Sequence, residues 1–328
     1  MALDTSQRDD PGFYDGRAVC ITGGAGFIGS ALSIALVELS AEVAIIDDLC
    51  NGLESNLAAI RPRVRFIKAS ILDAAGLKDA VRGASIIFHQ AALGSVPRSV
   101  AEPALYHDVN ATGTLRVLEA ARHAGAQRVV YASSSSVYGE QKESPKVESM
   151  MPDPRSPYAA SKITGEHLAM AWARCYGLSS IGLRYFNIFG PRQRPDSPYA
   201  AVIPRFAAAM MKGEALTVYG DGEQTRDFTH VDNAVRANLL AGSAPGTLSG
   251  EAINIACGEQ RSVLELIAIM AELLGATPII EHAPPRAGDV KHSRASIAKA
   301  KALIGYEPMV DFRRGLADAL DYYSGLAV

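Results

Sequence analysis

Val19-Cys-Ile-Thr-Gly-Gly-Ala-Gly-Phe-Ile-Gly-Ser30 decides the fold of this chain. It reads as a buried strand, a glycine turn and a helix start. Ala18–Ile21 is a short apolar run of the kind a parallel strand shows when both faces are covered. Gly23, Gly26 and Gly29 follow with the spacing G-x-x-G-x-x-G. The first two let the backbone turn tightly and come close to a pyrophosphate; the third lets the helix lie close on the strand. A helix over Phe27–Leu39, opened by Phe27, Ile28 and Gly29, then aims its unpaired N–H groups at phosphates. Glycine turns also end ordinary strands, so the reading needs context. A second strand, Glu42–Ile46, ends in Asp47, roughly 20 residues on, where a carboxylate can accept from the adenosine ribose hydroxyls. A free carboxylate there repels a 2′-phosphate, which favours NAD over NADP.

Outward from this stretch, strand and helix signals alternate from residue 17 to about 186, which implies a parallel sheet with helices on both faces. Strands are predicted over Arg17–Thr22, Glu42–Ile46, Val64–Ile67, Ser85–His89, Arg128–Ser133 and Ser179–Phe186, and long helices over Ala104–Ala124 and Ser156–Cys175. The fold class is α/β: a Rossmann-type doubly wound parallel sheet with a smaller C-terminal α/β substrate domain. The expected division is a disordered lead over 1–15, a dinucleotide domain over 16–188 to which the chain returns around 225–257, and a substrate domain from 189–224 and 258–328.

The 328 residues suffice for a sizeable core, and 48% hydrophobic with 20% charged residues is an ordinary globular balance. A net charge of −3 leaves no nucleic-acid footprint. Four cysteines, Cys20, Cys50, Cys175 and Cys257, form no C-x-x-C pair; free thiols in a reducing cytoplasm fit better than disulfides or a metal site. Met1–Asp15 is polar and reads as neither signal peptide nor membrane span.

The strand ends carry the candidate chemistry. Asp48-Leu-Cys-Asn51-Gly52 can wrap an adenosine. Ser70 and Ile71 follow the third strand, and Gln90-Ala91-Ala92-Leu-Gly94 the fourth; small residues at these ends let a ligand approach the backbone. His89, beside Ile87 and Phe88, reads as a packed core histidine rather than a base. Asn110, a mediocre helix former inside a helical pattern, either bonds the nearby loop or faces solvent. Ser133-Ser134-Ser135-Ser136 places four hydroxyls at the fifth strand end, over the expected nicotinamide. Pro157 suits a first helical turn. Tyr158 and Lys162, four apart, share a helix face. A phenol is a poor base at neutral pH; a lysine ammonium and a positive nicotinamide close by would favour the phenolate and tune it as a general base.

At this point the residues resemble the extended short-chain dehydrogenase/reductases, and within them the nucleotide-sugar 4-epimerases, from about residue 16 to 325. The motifs are Thr22-Gly-Gly-Ala-Gly-Phe-Ile-Gly29, Asp47, Ser133–Gly139, Tyr158-x-x-x-Lys162, Arg184-Tyr-Phe-Asn-Ile-Phe-Gly-Pro191 and Arg226-Asp-Phe-Thr-His-Val-Asp232. The resemblance implies an NAD-dependent isomerase. In it Tyr158 takes the sugar 4-hydroxyl proton, Ser134 relays it, and Lys162 holds the nicotinamide ribose. Ser135 and Ser136 lie along the hexose, and Gln90, Ala91, Ala92, Asn110 and Tyr185 line the NAD site. Ser70 stands where many relatives carry an adenine-binding Asp, which touches cofactor affinity alone. The absence of a carboxylate at Ser134–Ser136 argues against sugar dehydration; uronate decarboxylation needs the same oxidising residues and stays open.

The resemblance also implies a UDP-sugar partner. Asn187 matches a contact to sugar and diphosphate. Val202, Ile203, Thr217 and Tyr219 fall in segments that hold uracil and ribose. Arg226 and Arg286 match the diphosphate arginines, and Asp289 a ribose carboxylate. Two features bear on the hexose. Ser293, Gly94 and Gln193 resemble enzymes that take N-acetylhexosamines. Arg192 and Arg194, in a Pro-Arg-Gln-Arg-Pro loop like that of uronate epimerases, bring cations that a desolvated C6 carboxylate needs; alternatively Arg192 makes structural contacts only. The leading expectation is a UDP-glucuronate 4-epimerase, with UDP-N-acetylglucosamine as the second substrate. A cytoplasmic homodimer, joined partly through Ala104–Ala124 and the Tyr158 helix, is the family expectation.

Overall fold

The computed structural model describes residues 12–141, 143–194, 201–284 and 291–326. The first half runs β1 (Ala18–Thr22), α1 (Phe27–Glu38), β2 (Glu42–Asp47), β3 (Val64–Lys68), α2 (Ala74–Ala80), β4 (Ile86–His89), α3 (Val96–Ala101), α4 (Pro103–Tyr106), α5 (Gly113–His123), β5 (Arg128–Ser134), α6 (Pro157–Tyr176) and β6 (Ser179–Tyr185). The second runs β7 (Ile188–Phe189), α7 (Val202–Lys212), β8 (Leu216–Tyr219), β9 (Thr225–Arg226), β10 (Thr229–His230), α8 (Val231–Ser243), β11 (Ser249–Ile255), β12 (Arg261–Ser262), α9 (Val263–Leu274), β13 (Ile280–Ala283), α10 (Ala298–Ile304) and α11 (Phe312–Leu326).

Seven strands form one sheet in the order β11-β6-β5-β4-β1-β2-β3, every neighbouring pair parallel. The strand order reverses between β1 and β4, so a crevice opens beyond their C-terminal ends, where doubly wound sheets bind ligands. The strands read as apolar runs because both faces are covered. Leu32 and Leu36 of α1 and Val231 and Val235 of α8 bury one face; Leu77 of α2 and Val117 and Leu118 of α5 bury the other. Each such side chain contributes about 1.5–3 kcal/mol on burial. A second core gathers Ile203 and Phe206 of α7, Leu266 and Met270 of α9, and Leu316 and Leu320 of α11. Among the described residues no helix is long and apolar enough to cross a membrane.

Local chemistry sets the helix that carries Tyr158. The Ser156 hydroxyl accepts from Ala159 N–H at 3.1 Å, Pro157 occupies the first turn, and Gly177 closes the helix at φ 69°. Two expectations need correction. The single helix over Ala104–Ala124 is three pieces: α4, a π-helical turn over His107–Thr112, and α5. The π turn draws Asn110 inward, where its amide is buried and bonded. The lead also ends sooner than residue 15: Tyr14 is 2% exposed, and its hydroxyl donates to Leu239 O at 2.7 Å. Residues 12–16 form turns packed on the fold.

Candidate active site

A cleft of about 810 Å³ opens over the crevice. Gly23 after β1, Asp47 ending β2, Ser70 and Ile71 after β3, Gln90–Gly94 after β4, Ser133 near the end of β5 and Tyr185 ending β6 all line it, with Tyr158, Lys162, Arg192 and Arg194 along the wall. Phe27, Ile28, Gly29, Asn51 and Gly52 also line it.

The floor has no space for side chains. Gly23 has φ +69°, and a Cβ there would lie 2.7 Å from Ala91 Cα and N. A Cβ on Gly29 would run into the Gly23 carbonyl, and one on Gly52 would sit 2.9 Å from Asp47 Oδ1. Gly26 caps α1 without any side-chain hydrogen bond, so the helix end offers its N–H groups to the cleft. Asp47 accepts from Ala25 N–H at 2.9 Å and Leu49 N–H at 2.8 Å. Burial raises its carboxyl pKa, and those bonds hold it back. Ser70 Oγ accepts from Leu72 N–H at 3.2 Å and keeps a second lone pair. A glycine cradle under a helix N-terminus, with a carboxylate ending the next strand, fits a dinucleotide bearing free ribose hydroxyls.

The wall is equally fixed. Gln90 Nε2 donates to Asn238 Oδ1 at 2.9 Å, Asn238 Nδ2 to Tyr185 Oη at 2.7 Å, and Tyr185 Oη to Gln90 Oε1 at 3.2 Å. Asn110 accepts from Leu93 N–H at 2.8 Å and donates to Leu93 O and to Ser161 Oγ, both at 3.1 Å; of its two open readings, loop bonding is the outcome. Burial raises the Tyr158 phenol pKa, and the nearby Ser134 hydroxyl offsets this in part. The Ser134 oxygen accepts from Ser136 N–H at 3.2 Å and lies 3.0 Å from Ser136 Oγ. Ser135 opens a short 3-10 turn over Ser135–Tyr138. Lys162 Nζ donates to Ala132 O at 2.9 Å, and burial pulls its pKa down to about 7.

Lys162 Nζ stands 5.9 Å from the Tyr158 ring centroid, and burial dominates the upward shift of the phenol. Beneath them lies a buried ion pair, Arg184 Nε to Glu166 Oε1 at 2.9 Å and Nη2 to Oε2 at 2.7 Å, with the Ser133 hydroxyl donating to the same carboxylate. Glu166 escaped the sequence reading although it follows Lys162 by four on one helix face. Asn238 and Tyr106, whose ring meets Tyr158 edge-on at 6.5 Å, gave no local signal.

At the Arg192 end of the cleft the backbone is unusual. Asn187 (φ 40°) and Arg192 (φ 68°) occupy the left-handed region. Asn187 Nδ2 donates to Asp227 O at 3.0 Å, and Gln193 Nε2 to Ile188 O at 3.1 Å. Arg192 Nε and Gln193 Oε1 are buried without a partner among the described residues. Burial lowers the Arg192 pKa, and Tyr322, Asp232 and Asp318 offset this in part. Val202 opens α7, whereas the Ile203 side chain is buried in the second core, leaving its backbone alone to meet a ligand. Thr217 and Tyr219 lie on β8, Arg226 on β9, and Ser293 N–H donates to Thr225 O at 3.1 Å; none of these four is among the residues lining the cleft. Arg286 and Asp289 lie outside the described residues.

The model of the NAD dependent epimerase/dehydratase family matches residues 19–256. A UDP-glucose 4-epimerase of Mycolicibacterium smegmatis is 38% identical over 92% of this chain and 97% of its own. Among solved structures, a UDP-N-acetylglucosamine 4-epimerase from Methanobrevibacter ruminantium, in complex with UDP-N-acetylmuramic acid, superposes with TM-score 0.91 at 38% identity, covering 95% of this chain and 99% of that one. A UDP-glucuronic acid 4-epimerase from Bacillus cereus, in complex with UDP-glucuronic acid and NAD, gives 0.87 at 33%, covering 94% and 99%. The glycine cradle, the Asp47 carboxylate and these likenesses together place the chain in the NAD dependent epimerase/dehydratase family, with NAD as its cofactor.

Proposed function

We propose that this enzyme is an isomerase that inverts C4 of a UDP-hexose through a 4-keto sugar, with UDP-glucuronate as its preferred substrate. Bound NAD supplies the hydride acceptor and donor. The chain's own residues do the rest. Tyr158 takes the 4-hydroxyl proton and returns it, with the nearby Ser134 hydroxyl as the relay. Lys162 holds the cofactor ribose from its anchor on Ala132 O. Gly23, Gly26, Phe27, Ile28 and Gly29 take the pyrophosphate, and Asp47, Asn51, Gly52, Ser70 and Ile71 the adenosine.

Arg192 carries the choice of sugar. Arg192 lines the cleft, and its Nε is buried with no partner among the described residues. A desolvated cation gains from a ligand carboxylate about 1.5–3 kcal/mol, a factor of ten to a hundred in selectivity. The second reading, an N-acetylhexosamine, is favoured by Gly94, where a Cβ would meet nothing within 4 Å. The test incubates the purified protein with UDP-glucuronate and, separately, UDP-N-acetylglucosamine, and identifies products by NMR. Conversion of the uronate to its C4 epimer at much the higher efficiency supports Arg192 as the carboxylate anchor. Preference for the N-acetyl sugar overturns it, and a pentose product with released CO2 turns the assignment to decarboxylation.

A further inference from the structure

His89 ends β4, is 1% exposed, and has no part in the proton transfer assigned above. Both of its ring nitrogens are bonded: Nδ1 lies 2.7 Å from Thr22 Oγ1, and Nε2 lies 2.9 Å from Thr114 Oγ1. The neighbours fix the direction of each bond. Thr114 Oγ1 is 2.5 Å from Asn110 O. A carbonyl has no proton to give, so the Thr114 hydroxyl donates to it and must accept from His89 Nε2–H. At the other end, Ala91 N–H donates to Thr22 Oγ1 at 3.2 Å, which leaves the Thr22 proton for His89 Nδ1. A neutral imidazole has one donor and one acceptor, and this set uses each once. Burial, reinforced by the Lys162 charge, pushes the imidazole pKa down to about 3, so the ring is neutral. The bonds run one way: Ala91 N–H to Thr22, Thr22 to His89, His89 to Thr114, Thr114 to Asn110 O.

Both ends of this chain belong to the site. Ala91 lines the cleft, and its backbone is the surface against which Gly23 lies with no space for a Cβ. Asn110 leads to the opposite wall, because its amide donates to Ser161 Oγ at 3.1 Å and the Ser161 hydroxyl donates to Tyr158 O at 2.7 Å. Tyr131 adds a lateral brace: its ring lies 5.6 Å from that of His89, and its hydroxyl donates to Lys162 O at 3.2 Å.

We propose that His89, held as the Nε2–H tautomer between Thr22 and Thr114, is a positioning residue that sets the glycine-turn floor of the NAD cleft against the Asn110–Ser161–Tyr158 wall. It touches no reacting atom. Space-filling asks only for an apolar side chain of similar size at this position; the directed bonds ask for one acceptor and one donor. This inference rests on the NAD site and is indifferent to which sugar is turned over.

The experiment labels the seven histidines of the NAD-loaded enzyme with 15N, records two-bond 1H–15N correlations at pH 7.5, and assigns His89 by its loss in His89→Gln. One bare and one protonated nitrogen in the Nε2–H pattern is expected. The Nδ1–H pattern, or an average of the two tautomers, overturns the proposal whatever the substrate proves to be. Kinetics form the second arm, with the UDP-hexose that turns over. His89→Leu should lower kcat by about tenfold or more, as small misplacements of reacting groups do, with KM within about twofold. His89→Gln, which retains an acceptor and a donor, should recover most of that loss. Equal kcat in the two folded variants overturns the proposal. If His89→Leu does not fold, Thr114→Val removes one partner and leaves the imidazole in place: lowered kcat with a mixed tautomer signature supports the strut, and an unchanged kcat and signature refute it.

Discussion

The floor of the cleft and its sugar end are built on opposite rules. On the floor and the wall beside it, the side chains that shape the cofactor cleft are hydrogen-bonded. Asp47 takes two backbone N–H bonds, Asn110 makes three bonds, and Gln90, Tyr185 and Asn238 close a ring. At the sugar end, Arg192 Nε and Gln193 Oε1 are buried without partners among the described residues, on a segment with left-handed φ at Asn187 and Arg192. An unanswered buried polar atom costs about 1–3 kcal/mol, and strained backbone of this kind clusters where ligands bind. The floor is preorganised for one invariant cofactor. The sugar end holds polar capacity in reserve for a group that the protein itself does not supply.

The largest effect tests the point where the two regions meet. Tyr158→Phe removes the hydroxyl proposed to take the proton while keeping the ring that packs on Tyr106. Turnover should fall roughly 10²–10⁴-fold, with NAD binding and the far-UV spectrum intact. A variant retaining more than a tenth of the activity removes Tyr158 from the mechanism. Next comes the floor. Gly29→Ala drives a methyl into the Gly23 carbonyl, where backbone rather than a flexible side chain must yield. A loss of about 3 kcal/mol or more in urea unfolding, together with loss of NAD binding, is expected; a wild-type midpoint would mean that the floor is pliable and the comparison fails.

The sugar end should respond by selectivity and not by stability. Arg192→Met keeps the stem and removes the guanidinium. kcat/KM for UDP-glucuronate should drop about 10–100-fold while that for UDP-N-acetylglucosamine changes by less than about threefold and the melting temperature holds. Equal losses on both sugars would make Arg192 a structural residue tied to Asp232 and Asp318.

The same contrast explains what the sequence disclosed. The six strands from β1 to β6 follow from apolar runs broken at glycine and small residues, and Tyr158 with Lys162 from their spacing on a well-capped helix. These are local signals. The bonds that lock the floor are not local: Gln90 meets Asn238 across 148 positions and Thr22 meets His89 across 67. The π turn at His107–Thr112 shifts the helical pattern by a single residue, below what apolar periodicity resolves; an Asn inside the pattern was its one trace. Phe13 and Tyr14 are two aromatics in a polar segment, and nothing nearby announces that Tyr14 reaches Leu239 O. His89 read correctly as buried, yet its neighbours Ile87 and Phe88 could not reveal which hydroxyls bond it.

Lys162 provides the smallest and sharpest test, because it stands on the wall beside the floor yet carries a charge. It is buried with Nζ on Ala132 O and beside the rings of Tyr131 at 5.3 Å and Tyr158 at 5.9 Å, and burial holds its pKa at about 7. In the unfolded chain the group titrates near 10.4. Between these values the unfolded chain binds more protons than the native one, so stability rises with pH across about 7–10, by up to about 1.4 kcal/mol per pH unit; below 7 the whole cost of burying the charge is present. Urea unfolding of the NAD-free protein at pH 7.0 and 8.5 should therefore show a gain that Lys162→Met lacks. Other groups titrate in that window, and the difference between the two proteins isolates this one. Saturating NAD should flatten the slope, since ribose hydroxyl acceptors at Nζ favour the ammonium. Equal slopes in wild type and Lys162→Met would mean that the ammonium is already answered without cofactor, and the wall would then be complete before NAD arrives.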